Sequence, residues 1–307
     1  MSIEDFENEN NDNDNDDIIL HNITTEKNQE ITQQRIEQKK ILIEKEIQEI
    51  TIKREKIQRL LKNNNGAKLL NSVWEEFNLI ENTEQGRIYS LSDDNLKLLI
   101  DFHTEIGDKI LDPFAGHLNS AVTILQMDRK FEGYEVNKVY FEKLNEKLFQ
   151  LKQRRDNMSI PTQTYEIFNE NAINMKDDKD IDMILTTLPE LIFIPKDSKG
   201  NKDKLYNQYI DEVSSILLKS INRLKDNGVL IIHFKDLIKS FYYRPIFLDL
   251  TNILKQKMLL KYFIILTDKI PQAQTVKDKG DIFKLYSEQM FACTHQYIMC
   301  FNVGDKL

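Results

Sequence analysis

Glycine is scarce in this chain: nine in 307 residues, about half of average usage. Each one therefore marks a place where the backbone needs it. There are only two cysteines, Cys293 and Cys300. They exclude a disulfide framework and fit a reducing compartment, and no further ligand spacing around them points to zinc. No apolar run approaches the roughly 18 residues of a membrane span, since the best, from Met258 to Leu266, is broken by Lys261. The start lacks the basic-then-apolar order of a signal peptide. Lys and Arg are absent from the first 17 residues, which carry eight Asp and Glu side chains. Without them 42 acidic residues face 42 basic ones, so the formal charge of −8 belongs to a tail. A uniformly basic nucleic-acid binder and a polyacidic protein are excluded, while a patchy charged surface is not. These features fit a cytoplasmic protein of a prokaryote or phage, or a nuclear one in a eukaryote. High Asn, Ile and Lys points to an AT-rich genome.

Three regions follow. Residues 1–24 form an acidic tail, expected to be disordered because Asp, Asn and Glu bury too little apolar area to offset chain entropy. Residues 25–65 predict an amphipathic, coiled-coil-like helix. Positions 36, 40, 43, 47, 50, 54, 57 and 61 step by four and three, and all are apolar except Lys40 and Arg54. Such a seam suits a partner helix in a homo- or hetero-oligomer, or packs back on its own domain. Asn63-Asn64-Asn65-Gly66 supplies the stop. Residues 66–307 read as one α/β domain. Strands are expected at 109–112, 131–135, 164–168, 182–186 and 228–234, with helices at 92–103, 119–127, 138–154, 206–224 and 245–256. Strands at 260–266 and 295–302 close the chain with no helix between them. The alternation predicts a mostly parallel Rossmann-like sheet covered on both faces, with an antiparallel edge from the last two strands.

Ligands of such a sheet sit beyond the carboxyl ends of its strands. Those ends read Asp112-Pro113-Phe114-Ala115-Gly116, then Glu135, then Asn171, then Thr186-Thr187-Leu188-Pro189-Glu190. The first breaks at proline and turns through a glycine that lets backbone approach a ligand. A carboxylate ending the second strand accepts the two hydroxyls of a ribose diol. Asn171 is suited to an adenine edge. A nucleoside-containing cofactor fits this series. The G-x-G-x-x-G turn of dinucleotide binding is missing, because Gly116 is followed by His117-Leu118-Asn119.

Leu111-Asp-Pro-Phe-Ala-Gly116 resembles the LDPFAG cofactor loop of DNA methyltransferases that modify cytosine N4 or adenine N6. Gly133-Tyr-Glu-Val-Asn137 is similar to their G-x-E-x-N element. The segment from Asp182 to Glu190 is similar to their D-x-I-x-T-S-P-P-Y element. Later likenesses are Arg223 to Leu230, Tyr242 to Leu250 and His295 to Phe301, with Ser72-Val73-Trp74 near the start. The resemblance covers about residues 70–303 and implies a class I methyltransferase fold, S-adenosylmethionine as cofactor, and DNA as partner, as in restriction–modification. It also implies that Asp112, Pro113, Phe114, Ala115, Gly116, Glu135, Asn171 and Thr186 hold the cofactor. Thr187, Leu188 and Pro189 would address the flipped base.

The departures define the alternatives. His117-Leu118-Asn119 replaces Ser-Gly-Thr after the cofactor loop, and Asn171 stands where Asp is usual. Glu190 replaces the aromatic that stacks on the base, a contact of about 1–3 kcal/mol on nucleic-acid platforms. Either Phe193 or Tyr206 takes over the stacking, or the site is weakened or dead. An active DNA amino-methyltransferase and an inactive methyltransferase-like scaffold both remain open, with an RNA methyltransferase third. His233 reads as a packed histidine rather than a base. Lys152, Arg154, Arg155, Lys235, Lys239 and Arg244 are candidates for phosphate contact or solvated faces.

Overall fold

The computed structural model describes most of residues 33–58, and residues 73–76, 79–83, 86–116, 120–189, 202–239, 242–268 and 295–303. The acidic tail, the helix stop at 63–66, residues 117–119, Glu190, Phe193, the segment 270–291 and Cys293 lie outside the described residues. The chain divides into two units, residues 1–66 and 67–307. In the first, residues 33–45 are helical. Ile36, Ile43 and Ile47 of the expected seam are exposed, as are Ile41 and Leu42 beside it.

The second unit begins with strands β1 (Val73–Glu76), β2 (Leu79–Thr83) and β3 (Gly86–Ser90). Helix α1 (Asp93–His103) follows, capped by Ser92, whose side chain accepts from the Asn95 N–H. The doubly wound part then runs β4 (Lys109–Asp112), α2 (Ser120–Gln126), β5 (Lys130–Tyr134), α3 (Lys138–Asn157), β6 (Tyr165–Phe168), β7 (Ile181–Thr187), α4 (Lys202–Ile221) and β8 (Leu224–Phe234). A short hairpin, β9 (Leu237–Lys239) and β10 (Tyr242–Arg244), leads to α5 (Ile246–Leu254), and β11 (Met258–Asp268) and β12 (His295–Val303) complete the sheet. Asn137 caps α3 by accepting from Val139 and Tyr140.

The main sheet has eight strands in the order β1-β11-β12-β8-β7-β4-β5-β6. Strands β8, β7, β4, β5 and β6 pair parallel, while β12 runs antiparallel to both β8 and β11. This is the mostly parallel, doubly wound sheet that the alternation of strands and helices predicted. Its central strands read as near-continuous apolar runs because helices cover both faces, and Ile110, Leu111, Ile184 and Ile231 are fully or nearly fully buried. Two details differ from the sequence expectation. β12 does not form the edge: it lies between β8 and β11, and its Ile298, Met299, Cys300 and Phe301 are buried on the two faces. The edge is β1, paired parallel with β11 and anchored by buried Trp74.

Strand order reverses between β4 and β7, so the switch-point crevice lies at the ends of these two strands. At the opposite, amino end the sheet is clamped by charge. Arg223 bonds both carboxylate oxygens of Glu132 and also Asp180, and Lys109 pairs with Glu132 and Asp180. Arg223 and Glu132 are each only 3% exposed. Burial would raise the Glu132 carboxyl, but Arg223 and Lys109 hold it below its ordinary value.

Candidate functional site

The cofactor-type loop leaves β4 at Asp112, which is buried. Its carboxylate turns back into the loop and accepts from the Phe114 N–H at 3.0 Å and the Thr186 hydroxyl at 2.5 Å. Burial pushes its pKa up to about 7, against the lowering effect of those hydrogen bonds. The chain then turns at Gly116, whose φ of 58° lies in the left-handed region. Among the described residues a Cβ there would meet nothing nearer than the Phe114 carbonyl at 4.0 Å.

The end of β5 is fastened to this loop. Glu135 accepts from the Gly116 N–H at 2.9 Å through Oε2 and from the Asn137 N–H at 2.7 Å through Oε1. Burial raises its pKa, and these backbone donors oppose the rise. The Ala115 N–H bonds the Tyr134 carbonyl. Gly133 makes the close approach fit, since a Cβ would come within 2.7 Å of the Phe131 ring and 3.0 Å of the Ala115 Cβ. After β6, Asn171 spends its Oδ1 on the Ile173 N–H, capping a short 3-10 turn at Ala172–Asn174. Its Nδ2 is then the donating end for a ligand. Val136 and Ile173, which sequence reasoning passed over, are exposed apolar side chains at these two strand ends.

The fourth strand end joins the first. Thr186 faces β4 and is held by Asp112, whereas Thr187 faces β8, where its Oγ1 lies 3.0 Å from His233 Nδ1. The Leu188 N–H bonds the His233 carbonyl at 2.9 Å, and its side chain enters the core. The Tyr209 hydroxyl donates to the Pro189 carbonyl at 2.9 Å. Behind Thr187, His233 Nε2 lies 2.6 Å from Gln296 Oε1. His233 and Gln296 are each 1% exposed, and burial lowers the imidazole pKa to about 4 despite the Gln296 bond. A ring this hard to protonate packs as a neutral group, in keeping with the packed histidine read from the sequence. Its bonds to Thr187 and Gln296 were not foreseen, because they join residues 46 and 63 positions apart. Gln296 Nε2 has no hydrogen-bond partner among the described residues, a burial cost of about 1–3 kcal/mol.

Other expectations fare differently. Tyr206 is not a free stacking surface: it is buried, its hydroxyl donates to Asp249, and Arg244 lies over its ring. The cause is local, since α4 and α5 pack together there. Arg155 is tied to Asp128 and the Pro161 carbonyl, and Arg244 to Asp203, so neither is a loose phosphate contact. Lys152 and Arg154 are exposed. A cavity of about 300 Å3 between α4 and α5, lined by Tyr206, Ile210, Asp249 and Ile253, includes none of the strand-end residues. Among the described residues no group of His, Cys, Asp and Glu is arranged to hold a metal ion. No helix among them is long and apolar enough to cross a membrane.

One comparison agrees with the motif reading. A family model described as DNA methylase, of the N6/N4 type, matches residues 5–146. This bears out the resemblance to amino-methylating DNA methyltransferases, and it ends within α3, before the Thr187 loop. No curated protein matches the sequence. Among solved structures the chain is similar to a geranyl diphosphate C-methyltransferase from Streptomyces coelicolor A3(2) with S-adenosyl-L-homocysteine (12% identity, TM-score 0.47, 68% of this chain and 78% of that one). It is also similar to an rRNA methylase from Streptococcus thermophilus (12%, 0.39, 69% and 94%). A third is TrmN from Thermus thermophilus (11%, 0.42, 69% and 48%), of whose length this chain spans about half.

Proposed function

We propose that this protein is an S-adenosylmethionine-dependent methyltransferase whose acceptor is an exocyclic amino group of cytosine or adenine in DNA. The observation that carries this reading is the Thr186–Asp112 hydrogen bond across the switch point. It ties a nucleoside-type cofactor loop to the strand end that bears the acceptor-facing Thr187.

The residues present fit the cofactor. Glu135 keeps spare lone pairs on both oxygens for a ribose diol. Asn171 Nδ2 is free to donate to an adenine ring nitrogen, with Val136 and Ile173 as apolar walls. Bound there, S-adenosylmethionine supplies an electrophilic methyl group. Thr187 Oγ1 and the Leu188 carbonyl accept the two N–H bonds of the target amine. That draws the nitrogen toward sp3 geometry and frees its lone pair. No general base is needed before attack, which agrees with a neutral His233.

A second reading has its own observation. Tyr206 is occupied and so does not replace the aromatic that Glu190 displaces, which favours an inactive methyltransferase-like subunit acting as scaffold or nucleic-acid-binding partner. Calorimetric titration with S-adenosylmethionine, paired with methyl-transfer assays on unmodified DNA and RNA, separates them. The enzyme reading expects binding and DNA turnover that Thr187→Ala lowers about 100-fold or more. Binding without turnover supports the scaffold. No binding at about millimolar cofactor, some 4 kcal/mol of affinity, sinks the enzyme.

A further inference from the structure

Three neighbouring strands place their side chains in one row at the carboxyl end of the sheet. Thr187 on β7 is in register with His233 on β8, and His233 with Ile298 on β12. Gln296, two residues before Ile298, shares its face. The chain of contacts is Thr187 Oγ1 to His233 Nδ1 at 3.0 Å and His233 Nε2 to Gln296 Oε1 at 2.6 Å. A neutral imidazole has one N–H and one bare nitrogen. The Gln296 oxygen accepts only, so Nε2 carries the hydrogen and Nδ1 is bare. The Thr187 hydroxyl must then donate to Nδ1.

We propose that His233, oriented by Gln296, is a positioning residue that commits the Thr187 hydrogen inward, so that Thr187 Oγ1 offers only lone pairs to the target. The proposal rests on the methyltransferase reading and deepens it by giving the device that makes Thr187 select such an acceptor. A target that presents N–H donors, such as an exocyclic amine, is matched. A carbonyl or a bare ring nitrogen would meet lone pair against lone pair. A hydroxyl free to rotate would not discriminate between these. The buried Gln296 Nε2, without a partner among the described residues, is a cost that an apolar pair at 233 and 296 would avoid, and such costs persist where a site requires them. His233 touches neither cofactor nor target and acts through Thr187.

Two measurements on the full chain decide it. Nitrogen-15 spectra of the histidine rings, with His233 assigned by its loss in His233→Phe, are expected to show one species, protonated at Nε2 and bare at Nδ1. Protonation at Nδ1, or a tautomer mixture, overturns the proposal. In single-turnover assays on unmodified DNA, His233→Phe is expected to lower kcat about 10- to 100-fold. KM for DNA and the cofactor Kd should stay within about two-fold. His233→Asn, which keeps an acceptor near the Nδ1 position, should recover part of the loss. Unchanged kcat in His233→Phe overturns the proposal. A wild-type chain without turnover sinks the enzyme reading, and the ring spectra still decide the orientation of the Thr187 hydroxyl.

Discussion

Asp112 and His233 are buried titratable groups whose protonation pulls stability in opposite directions. The Asp112 carboxyl is raised by burial to about 7 from 3.8. Its contribution is fully present below about pH 4 and is lost as pH rises through about 7. The His233 ring is lowered by burial to about 4 from 6.5, so its contribution is present above about pH 6.5 and is lost as pH falls through about 4. In the wild type the two slopes oppose each other across this window. Asp112→Asn removes one of them. Urea midpoints measured from about pH 4 to about pH 8 should then rise with pH through the His233 range and level off, without a decline near pH 7. Parallel curves for wild type and variant would refute the burial argument for Asp112. Sequence alone marked Asp112 by its place at a strand end. It gave no sign that the carboxylate turns inward to Thr186 rather than outward to a ligand.

Among the elements, the buried parallel strands were the most legible, because an apolar run bounded by Asp, Gly or Asn leaves little freedom. The 109–112 strand and the Ser92 cap came out as read. Strand β1 was not legible: a four-residue strand takes its partner, β11, from a register set some 190 residues later. Nor were the His233–Gln296 contact and the Asp236 carboxylate that accepts from the Phe247 N–H at the start of α5. Both depend on which strand lies beside which. The charge clamp at the amino ends of β4, β5, β7 and β8 was equally hidden in sequence, since Lys109, Glu132, Asp180 and Arg223 look like ordinary surface charges. Arg223→Met leaves buried Glu132 with only Lys109 and the Tyr134 hydroxyl among the described residues, so unfolding free energy should fall by about 3–5 kcal/mol. The paired variant with Glu132→Gln should recover part of that loss. A melting temperature within about 1 °C of wild type for Arg223→Met would show the clamp to be dispensable.

For the whole molecule, charge is divided along the chain: eight acidic residues lie in the first 17, and the remainder is balanced. If DNA is the substrate, that tail repels the same phosphates the body must approach. Removing residues 1–17 should leave cofactor binding and melting unchanged and tighten DNA binding, most visibly at low salt. Equal DNA affinity in titrations at two salt concentrations would remove any role for the tail, and an unfolded product would move the domain boundary. The reversed strand β12 carries a consequence in time as well as space. It follows both β8 and β11 in the sequence, yet it lies between them in the sheet. Until it inserts, β8 and β11 each have an open edge, and Thr187 and His233 stand without Gln296. The strands that carry Asp112 and Glu135 can thus pair before Gln296 reaches His233. Insertion of β12 closes both of those edges and supplies Gln296 to His233 together.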